Sequence, residues 1–231
     1  MILGIMGGMG PAATVDLFEK ITNYSHAKKD QEHVHLVIDS NTNIPDRTAY
    51  ITGSGANPIF EMVRSAIRLE MMGADYIVMA CNTAHYFYDE ISKYIRVPII
   101  NMINETAEYL VKAFPDSKSY LLLATEGTYL SGIYRNIFAE HRLNILEPDQ
   151  KDKKSVMDWI YKVKSGDFSV EPSEVETLIG KYVEGCESTI LGCTELPLLA
   201  KKIGAPKQYI DPVSILAQRC VEIAEEGKDR P

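Results

Sequence analysis

The sequence MILGIMGGMGPAATVDLFEKI, residues 1–21, decides the fold class. Its apolar run at residues 2–6 has the length of a strand and ends at a glycine turn, residues 7–10. Pro11 suits the first position of a helix, and the amphipathic residues 12–25 predict that helix. A strand that enters a helix through a glycine turn begins a βαβ unit. We expect one stripe of the helix to hold Val15, Phe18 and either Ile21 or Thr22, and that stripe to be buried.

Further strand-like runs alternate with helical segments along the chain. Residues 35–40, 76–80 and 97–101 predict three more strands, and residues 57–72 predict a helix. The polar residues 41–55 predict a loop. Because strands separated by helices form parallel sheets covered on both faces, the predicted fold class is α/β.

The pattern restarts in the second half of the chain. A strand-like run at residues 120–124 breaks at Thr125 before a helical stretch, residues 129–141, and the run at residues 188–192 leads into Cys193 as residues 76–80 lead into Cys81. The two turns lie 118 residues apart and the two cysteines 112. We therefore predict two related α/β halves, with chance similarity of βα units as the alternative.

The predicted N-terminal α/β domain comprises residues 1–103 and 210–231, and the C-terminal α/β domain comprises residues 104–209. A polar stretch at residues 147–174 contains one short predicted helix, residues 156–164.

Composition narrows the class of partner. The 231 residues carry a formal net charge of −8, which argues against nucleic-acid binding. No apolar run approaches the ~20 residues of a membrane span, and the N-terminus lacks the basic flank of a signal peptide, so we expect a cytoplasmic protein. An acidic protein that binds an acidic substrate must concentrate positive charge locally, which directs attention to individual Arg and Lys residues.

Two of the four cysteines occupy matching positions. No Cys pair or Cys/His cluster has metal-site spacing, so we expect free thiols and no metal. Cys81 and Cys193 each follow a predicted strand and precede a predicted helix, at the sheet edge where ligands bind. A helix N-terminus lowers the pKa of a thiol. One such cysteine is more often core filler, but two matched ones favour chemistry; Cys186 and Cys220 lack this context.

Thiols on the two sides of a cleft suit inversion at a carbon atom. One removes a proton from one face while the other delivers a proton to the opposite face. Backbone N–H groups of the glycine turn are candidates for binding an α-carboxylate, although an unliganded turn is an equal alternative. The turn lacks the spacing of a nucleotide-binding loop.

Three side chains are further candidates for the site. Arg47 is suited to bind a side-chain carboxylate through a two-point fork, and Lys164 is a second candidate cation. His85 falls on the same predicted helix face as Cys81. The alternatives are a surface arginine and a core or surface histidine.

Three segments together resemble the aspartate/glutamate racemase family over essentially the whole chain: GGMGP at residues 7–11, ACNTAH at 80–85 and GCTEL at 192–196. Glutamate racemases of cell-wall synthesis share a CNTA segment but differ at the other two. The resemblance implies two pseudo-symmetric α/β domains with the active site in the cleft between them. It further implies no pyridoxal phosphate or other cofactor, no metal, and a homodimer.

The same resemblance implies roles for individual residues. Cys81 and Cys193 would be the acid/base pair, with Cys193 acting on the L-enantiomer and Cys81 on the D-enantiomer. The implied substrate contacts are Met9, Gly10, Arg47, Asn82, Thr83, Thr125, Lys164 and Thr194.

The sequence thus predicts a racemase that is independent of pyridoxal phosphate and interconverts L- and D-aspartate, with glutamate as an open second substrate. One alternative is a maleate-isomerase-like or decarboxylase enzyme with one nucleophilic cysteine. The other is a non-catalytic amino-acid-binding protein on the same fold.

Overall fold

The computed structural model describes residues 1–204 and 209–228. Two parallel four-stranded sheets form its framework, with strand orders β2-β1-β3-β4 and β6-β5-β7-β8. The matching orders confirm the predicted α/β class and the two pseudo-symmetric halves. The first sheet contains β1 Ile2–Gly7, β2 His35–Ser40, β3 Tyr76–Met79 and β4 Ile99–Ile100. The second contains β5 Ser119–Ala124, β6 Asn144–Leu146, β7 Ser188–Gly192 and β8 Tyr209–Ile210.

Helices flank both sheets. The first half contains α1 Pro11–Tyr24, α2 Arg47–Ile51, α3 Ile59–Met71, α4 Tyr88–Ser92 and α5 Met102–Ala113, with 3₁₀ helices at Asp30–Glu32 and Thr83–Phe87. The second half contains α6 Glu126–Ser131, α7 Ile133–Glu140, α8 Gln150–Lys164, α9 Pro172–Gly180 and α10 Glu195–Ile203, and α11 Pro212–Lys228 follows β8.

Helix boundaries differ from the predictions in three places. α2 lies inside the predicted loop 41–55, and α8 begins six residues before the predicted helix 156–164. The predicted helix 129–141 is two helices, because Gly132 adopts φ +66 between α6 and α7. A left-handed residue ends a helix, and glycine adopts that conformation without steric cost.

Both faces of each sheet are buried. Ile77 and Met79 of β3 enter one apolar cluster, whereas Val78 between them enters the cluster on the opposite face. Leu121 and Leu122 of β5 divide in the same way between the two clusters of the second sheet. Successive strand residues point to opposite faces, so this division is what a sheet covered by helices on both sides requires.

The buried stripe of α1 differs from the predicted one. Leu17 and Ile21 are fully buried, but Val15 is 66% exposed and Phe18 is 42% exposed. The prediction was therefore correct for Ile21 and wrong for Val15 and Phe18. Two apolar stripes exist on this helix, and packing against β1 and α11 buries the one that contains Leu17.

α5 and α11 join the two halves. Met102 at the start of α5 packs in the core of the first sheet, whereas Ile103 and Leu110 pack in that of the second. After β8, α11 returns to pack on α1 and α5. The domain boundaries after residues 103 and 209 stay a prediction; Ile210 still pairs with Ile190 in the second sheet. In the described part of the chain, no helix has the length and apolar character to cross a membrane.

Candidate active site

A small polar cavity lies where the central strands of both sheets end. Met9 follows β1, Cys81 follows β3, Thr125 follows β5 and Cys193 follows β7. The carboxyl edges of the two sheets therefore meet at this cavity. The residues that line it are Met9, Asp46, Arg47, Thr48, Cys81, Asn82, Thr83, Thr125, Lys164, Cys193, Thr194 and Glu195.

The structure brings nine of the ten site residues implied by the family resemblance to this cavity, whereas the further candidate His85 does not line it. The tenth, Gly10, follows Met9 and lies beside Glu195: a Cβ atom added to Gly10 would be 3.4 Å from Oε1 of Glu195.

Cys193 is a buried thiol held against a carboxylate. Its Sγ donates to Oε2 of Glu195 at 2.9 Å, and the Thr194 hydroxyl donates to the same oxygen at 3.1 Å. Burial and then the charge of Glu195 raise the pKa of Cys193 well above its ordinary value, while Lys164 opposes the shift. The predicted lowering of a thiol pKa at the helix N-terminus is therefore wrong for Cys193. Thr194 precedes α10 without capping it through its side chain.

Cys81 is buried beside a neutral histidine. The five-residue 3₁₀ helix that follows it carries His85, whose Nδ1 donates to the Cys81 carbonyl oxygen at 2.9 Å. Nε2 of His85 accepts from the Met102 N–H at 3.1 Å. Burial lowers the pKa of His85 to about 4. The ring is therefore neutral near pH 7 and ties the Cys81 turn to α5 rather than exchanging protons.

Asn82 presents an unpaired donor at the cavity. Tyr134 of the second half donates to its Oδ1 at 2.6 Å, which fixes the orientation of the amide. Nδ2 of Asn82 is buried and has no partner within the described residues. A buried donor left unpaired costs free energy, and a ligand with acceptor oxygens removes that cost.

Three threonine hydroxyls connect the halves beside Asn82. Oγ1 of Thr83 lies 2.9 Å from those of Thr125 and Thr128, which lie 3.0 Å from each other. A hydroxyl carries one hydrogen, so this triangle can use all three donors internally while leaving acceptor lone pairs at the cavity. Thr83 and Thr125 are thus oriented by the contact between the halves.

Arg47 is engaged differently from the predicted open fork. Its Nη1 donates to the carbonyl oxygens of Ile44 at 3.3 Å and Pro45 at 3.0 Å, and Nη2 donates to that of Met9 at 2.9 Å. A guanidinium has five N–H donors, so two remain. One of them is on Nε, which is buried without a partner in the described structure. Arg47 therefore stabilises the Met9 turn through a hydrogen bond and retains unpaired N–H donors, including the one on Nε.

Lys164 adds a cation to the cavity from the last residue of α8. Burial disfavours its charge, but interactions with the ionised forms of Cys193 and Glu195, and then of Cys81 and Asp46, raise its pKa above the ordinary value. Its Nζ lies 3.9 Å from Oδ2 of Asp46. The ammonium therefore stays charged, and Lys164 lines the same cavity as both thiols.

The glycine turn is shaped by packing. Gly8 has φ +83, and a Cβ atom there would lie 2.5 Å from the Asn41 backbone. The Gly8 N–H donates to Oγ1 of Thr14 at 2.9 Å, so it is not a free donor. Carboxylate binding by the rest of the turn, through Met9 and Gly10, stays a prediction.

Three lining residues were missed from the sequence: Asp46, Thr48 and Glu195. Asp46 follows a common helix-start pattern, and it accepts from the Ala49 N–H at 2.7 Å as the N-cap of α2. Glu195 stood in the quoted GCTEL segment, but an acidic residue in a first helical turn is ordinarily solvated. No sequence signal indicates that it is buried against a thiol. In the described part of the chain, no group of His, Cys, Asp and Glu side chains is placed to hold a metal ion.

Comparisons with known proteins identify the family. The family model for Asp/Glu/hydantoin racemases matches residues 6–220. The chain belongs to this family. The broad specificity amino-acid racemase RacX of Bacillus subtilis (strain 168) is 26% identical over 226 residues, which are 95% of this chain and 96% of that protein.

Solved structures agree with this family assignment. The aspartate racemase of Picrophilus torridus is 35% identical with a TM-score of 0.84, over 97% of this chain and 94% of that chain. The glutamate racemase of Francisella tularensis subsp. tularensis SCHU S4, in complex with D-glutamate, has a TM-score of 0.68 over 98% of this chain and 81% of that chain. Its 15% identity shows the fold alone. Membership of this racemase family supports an amino-acid racemase activity.

Proposed function

We propose that this family member interconverts L- and D-aspartate without pyridoxal phosphate, with Cys81 and Cys193 as the acid and base. The observation that carries the proposal is one polar cavity, formed by both halves, that holds both thiols. Racemisation requires proton removal on one face of Cα and proton delivery on the other. Two thiols contributed by opposite halves are the groups to which the proposal assigns these two steps.

The cavity is suited to an anionic ligand. Nδ2 of Asn82 and Nε of Arg47 are buried donors without partners in the described residues, and both belong to lining residues. The charged ammonium of Lys164 lies at the same cavity. A substrate with two carboxylates supplies acceptors for these donors, and such charge-assisted hydrogen bonds are stronger than neutral ones. The predicted contacts at Met9, Gly10, Thr83, Thr125 and Thr194 complete the proposed binding set.

In the proposed reaction, one cysteine as a thiolate removes the α-proton, and the other as a thiol protonates the opposite face. Negative charge that spreads onto the α-carboxylate during this step is stabilised by donors already in position. We propose that Cys193 acts on the L-enantiomer and Cys81 on the D-enantiomer.

Aspartate is proposed as the substrate because the Picrophilus torridus aspartate racemase is similar over almost the whole chain. Glutamate is one methylene longer, a difference worth only about 1–3 kcal/mol in a pocket. The test is chiral analysis of D- and L-aspartate and glutamate incubated with purified protein without added cofactor. Racemisation of aspartate from both enantiomers is expected, with solvent deuterium incorporated at Cα. No turnover of any acidic amino acid contradicts the proposal.

Single-cysteine variants test the two-thiol mechanism. Cys81→Ser and Cys193→Ser should each lower kcat/KM by on the order of 10²-fold or more, because a hydroxyl is a far weaker base than a thiolate. Cys186→Ser is the matched control, since Cys186 lies outside the cavity and its Sγ donates to the Tyr182 carbonyl. Full activity in Cys81→Ser or in Cys193→Ser contradicts the two-thiol mechanism.

The alternatives predict other outcomes. A covalent adduct on a single cysteine without α-proton exchange favours a maleate-isomerase-like or decarboxylase reaction. Binding of aspartate without turnover favours a non-catalytic protein. The homodimer and the cytoplasmic location stay predictions.

A further inference from the structure

Glu195 is a buried carboxylate for which the proposed mechanism has no role so far. It is the first residue of α10 and only 4% exposed. Its Oε2 accepts from Sγ of Cys193 at 2.9 Å and from the Thr194 hydroxyl at 3.1 Å. Because burial of a charged carboxylate is costly unless it is well paired, this contact with a reacting thiol calls for a physical explanation.

The two halves differ at this position. The residue two places after Cys193 is Glu195, whereas the residue two places after Cys81 is Thr83. The Thr83 hydroxyl is committed to the threonine triangle, at 2.9 Å from Thr125. Within the described residues, the Cys81 thiol forms no hydrogen bond to a carboxylate. Among the described residues, the Cys193 thiol is therefore hydrogen-bonded to a carboxylate and the Cys81 thiol is not, although Asp46 also lines the cavity.

We propose that Glu195 accepts the thiol proton of Cys193 and releases it again before the end of each turnover. This inference rests on the proposed racemase function and deepens it. The contact is already oriented for the transfer, because the thiol is the donor and a carboxylate oxygen is the acceptor.

The proton inventory balances through the cycle. In the activating step the S–H bond of Cys193 breaks and an O–H bond forms on Glu195, which leaves a thiolate beside a neutral carboxylic acid. The thiolate then takes the α-proton, and the electron pair of the C–H bond stays on the substrate as a carbanion. Cys81 donates its thiol proton to the other face and becomes a thiolate. Glu195 then loses its proton to water and Cys81 gains one, which restores the starting state.

In the reverse direction Cys193 is the acid, and the same groups act in reverse order. Enantiomers have equal free energy, so a change at Glu195 must alter kcat/KM equally in both directions. The same change at Glu195 does not affect the two proton transfers equally. Only the transfer that involves Cys193 passes through Glu195, so loss of the carboxylate makes that transfer more rate-limiting.

This asymmetry is measured with α-deuterated substrates and Glu195→Gln, which keeps the shape of the side chain. We expect kcat/KM to fall on the order of a hundredfold in both directions, as for loss of a general base. The deuterium isotope effect on kcat/KM should rise for the enantiomer handled by Cys193 and fall towards unity for the other. The enantiomer handled by Cys193 is identified in Cys193→Ser, as the enantiomer whose α-proton exchange with solvent is lost.

The matched control is Glu126→Gln. Glu126 is also the first residue of a helix after a threonine, but it is exposed and does not line the cavity. It should leave both rate and isotope effects unchanged. Equal activity or faster racemisation in Glu195→Gln overturns the proposal. A slower Glu195→Gln enzyme with both isotope effects unchanged shows a structural role and overturns it as well.

A second readout separates this proposal from the proposed function. The pH profile of Cys193 alkylation by a small neutral reagent, followed by mass spectrometry, does not require turnover. Its midpoint should move to lower pH in Glu195→Gln, because Glu195 raises the pKa of this thiol. An unshifted midpoint in an enzyme that racemises aspartate overturns the role of Glu195 alone. If the midpoint shifts but the wild type does not racemise aspartate, the proposed racemase function is overturned, and turnover through Glu195 is overturned with it. The coupling between the Cys193 thiol and the Glu195 carboxylate then still stands.

Discussion

At the residue scale, the cavity owes its properties to partners that hold each functional group in one state. Glu195 holds Cys193 as a thiol, and Tyr134 turns the Asn82 amide so that its N–H groups are unpaired. Arg47 donates to backbone carbonyls through its terminal nitrogens and keeps Nε unpaired. Such preorganisation matters because groups already oriented need no rearrangement when charge develops on the substrate.

His85 leads to a prediction about stability and pH. Its pKa is about 4 in the folded protein against 6.5 ordinarily, because burial disfavours the charged ring. Between these values the unfolded chain binds a proton that the folded chain does not. The contribution of His85 to the free energy of unfolding is therefore fully present above pH 6.5. As the pH drops to about 4, the free energy of unfolding falls by on the order of 3 kcal/mol.

The variant His85→Asn tests this assignment by urea unfolding at several pH values. It should be less stable near pH 7 by about 1–3 kcal/mol, because the Met102 N–H loses its acceptor. Its stability should change less between pH 6.5 and 4 than that of the wild type. The control His35→Gln alters an exposed histidine and should retain the wild-type dependence. An unchanged pH dependence in His85→Asn contradicts the assignment.

At the element scale, α8 brings Lys164 to the cavity, and its other end is fixed by Asp149. The Asp149 side chain accepts from the Asp152 N–H at 2.8 Å as the N-cap. Asp152 is itself buried and bonds Lys181 and Tyr182, which fastens the helix to the segment after α9. The helix therefore has a fixed start from which Lys164 is positioned.

We predict that Asp149→Ala lowers the free energy of unfolding by about 1 kcal/mol, because one N–H at the helix start loses its acceptor. Asp149→Asn retains an acceptor and should remain within a few tenths of a kcal/mol of the wild type. Urea unfolding measures both, and the denaturant slope should not change. Equal losses in the two variants mean that charge, rather than capping, stabilises the helix.

Elements were predictable from sequence where local pattern decides them. The strand before Cys81 and the helix after Pro11 follow from apolar runs that end at turn residues. Packing of distant segments decided the rest. The hydrophobic pattern of α1 suits burial of Phe18 as well as Leu17, and contact with α11 selects Leu17. Likewise, the sequence near GCTEL contains nothing that distinguishes a buried Glu195 from a solvated one.

At the scale of the whole molecule, contacts between the halves form part of the site itself. Tyr134 bonds Asn82 at 2.6 Å, and Thr83 bonds Thr125 at 2.9 Å. α5 packs into the cores of both halves. The repeat predicted the two halves and the meeting of their strand ends, whereas these bonds depend on how closely the halves approach, which no sequence offset encodes.

These shared contacts predict cooperative unfolding. The single tryptophan, Trp159, is buried in the core of the second half, so its fluorescence reports on that half alone. Far-ultraviolet circular dichroism reports on both halves. Because the halves share α5 and a bonded interface, the two probes should give coincident urea transitions, which is the signature of two-state unfolding.

The variant Tyr134→Phe sharpens the test, since it removes the bond to Asn82 and leaves the ring in place. Oδ1 of Asn82 then loses its donor, so we expect a loss of about 1–3 kcal/mol in the free energy of unfolding. If the halves fold as one unit, both transitions move together to lower urea. If the Trp159 transition separates from the circular dichroism transition in the wild type, the halves unfold independently. The hydrogen bonds between the halves then stabilise the cavity less than their distances indicate.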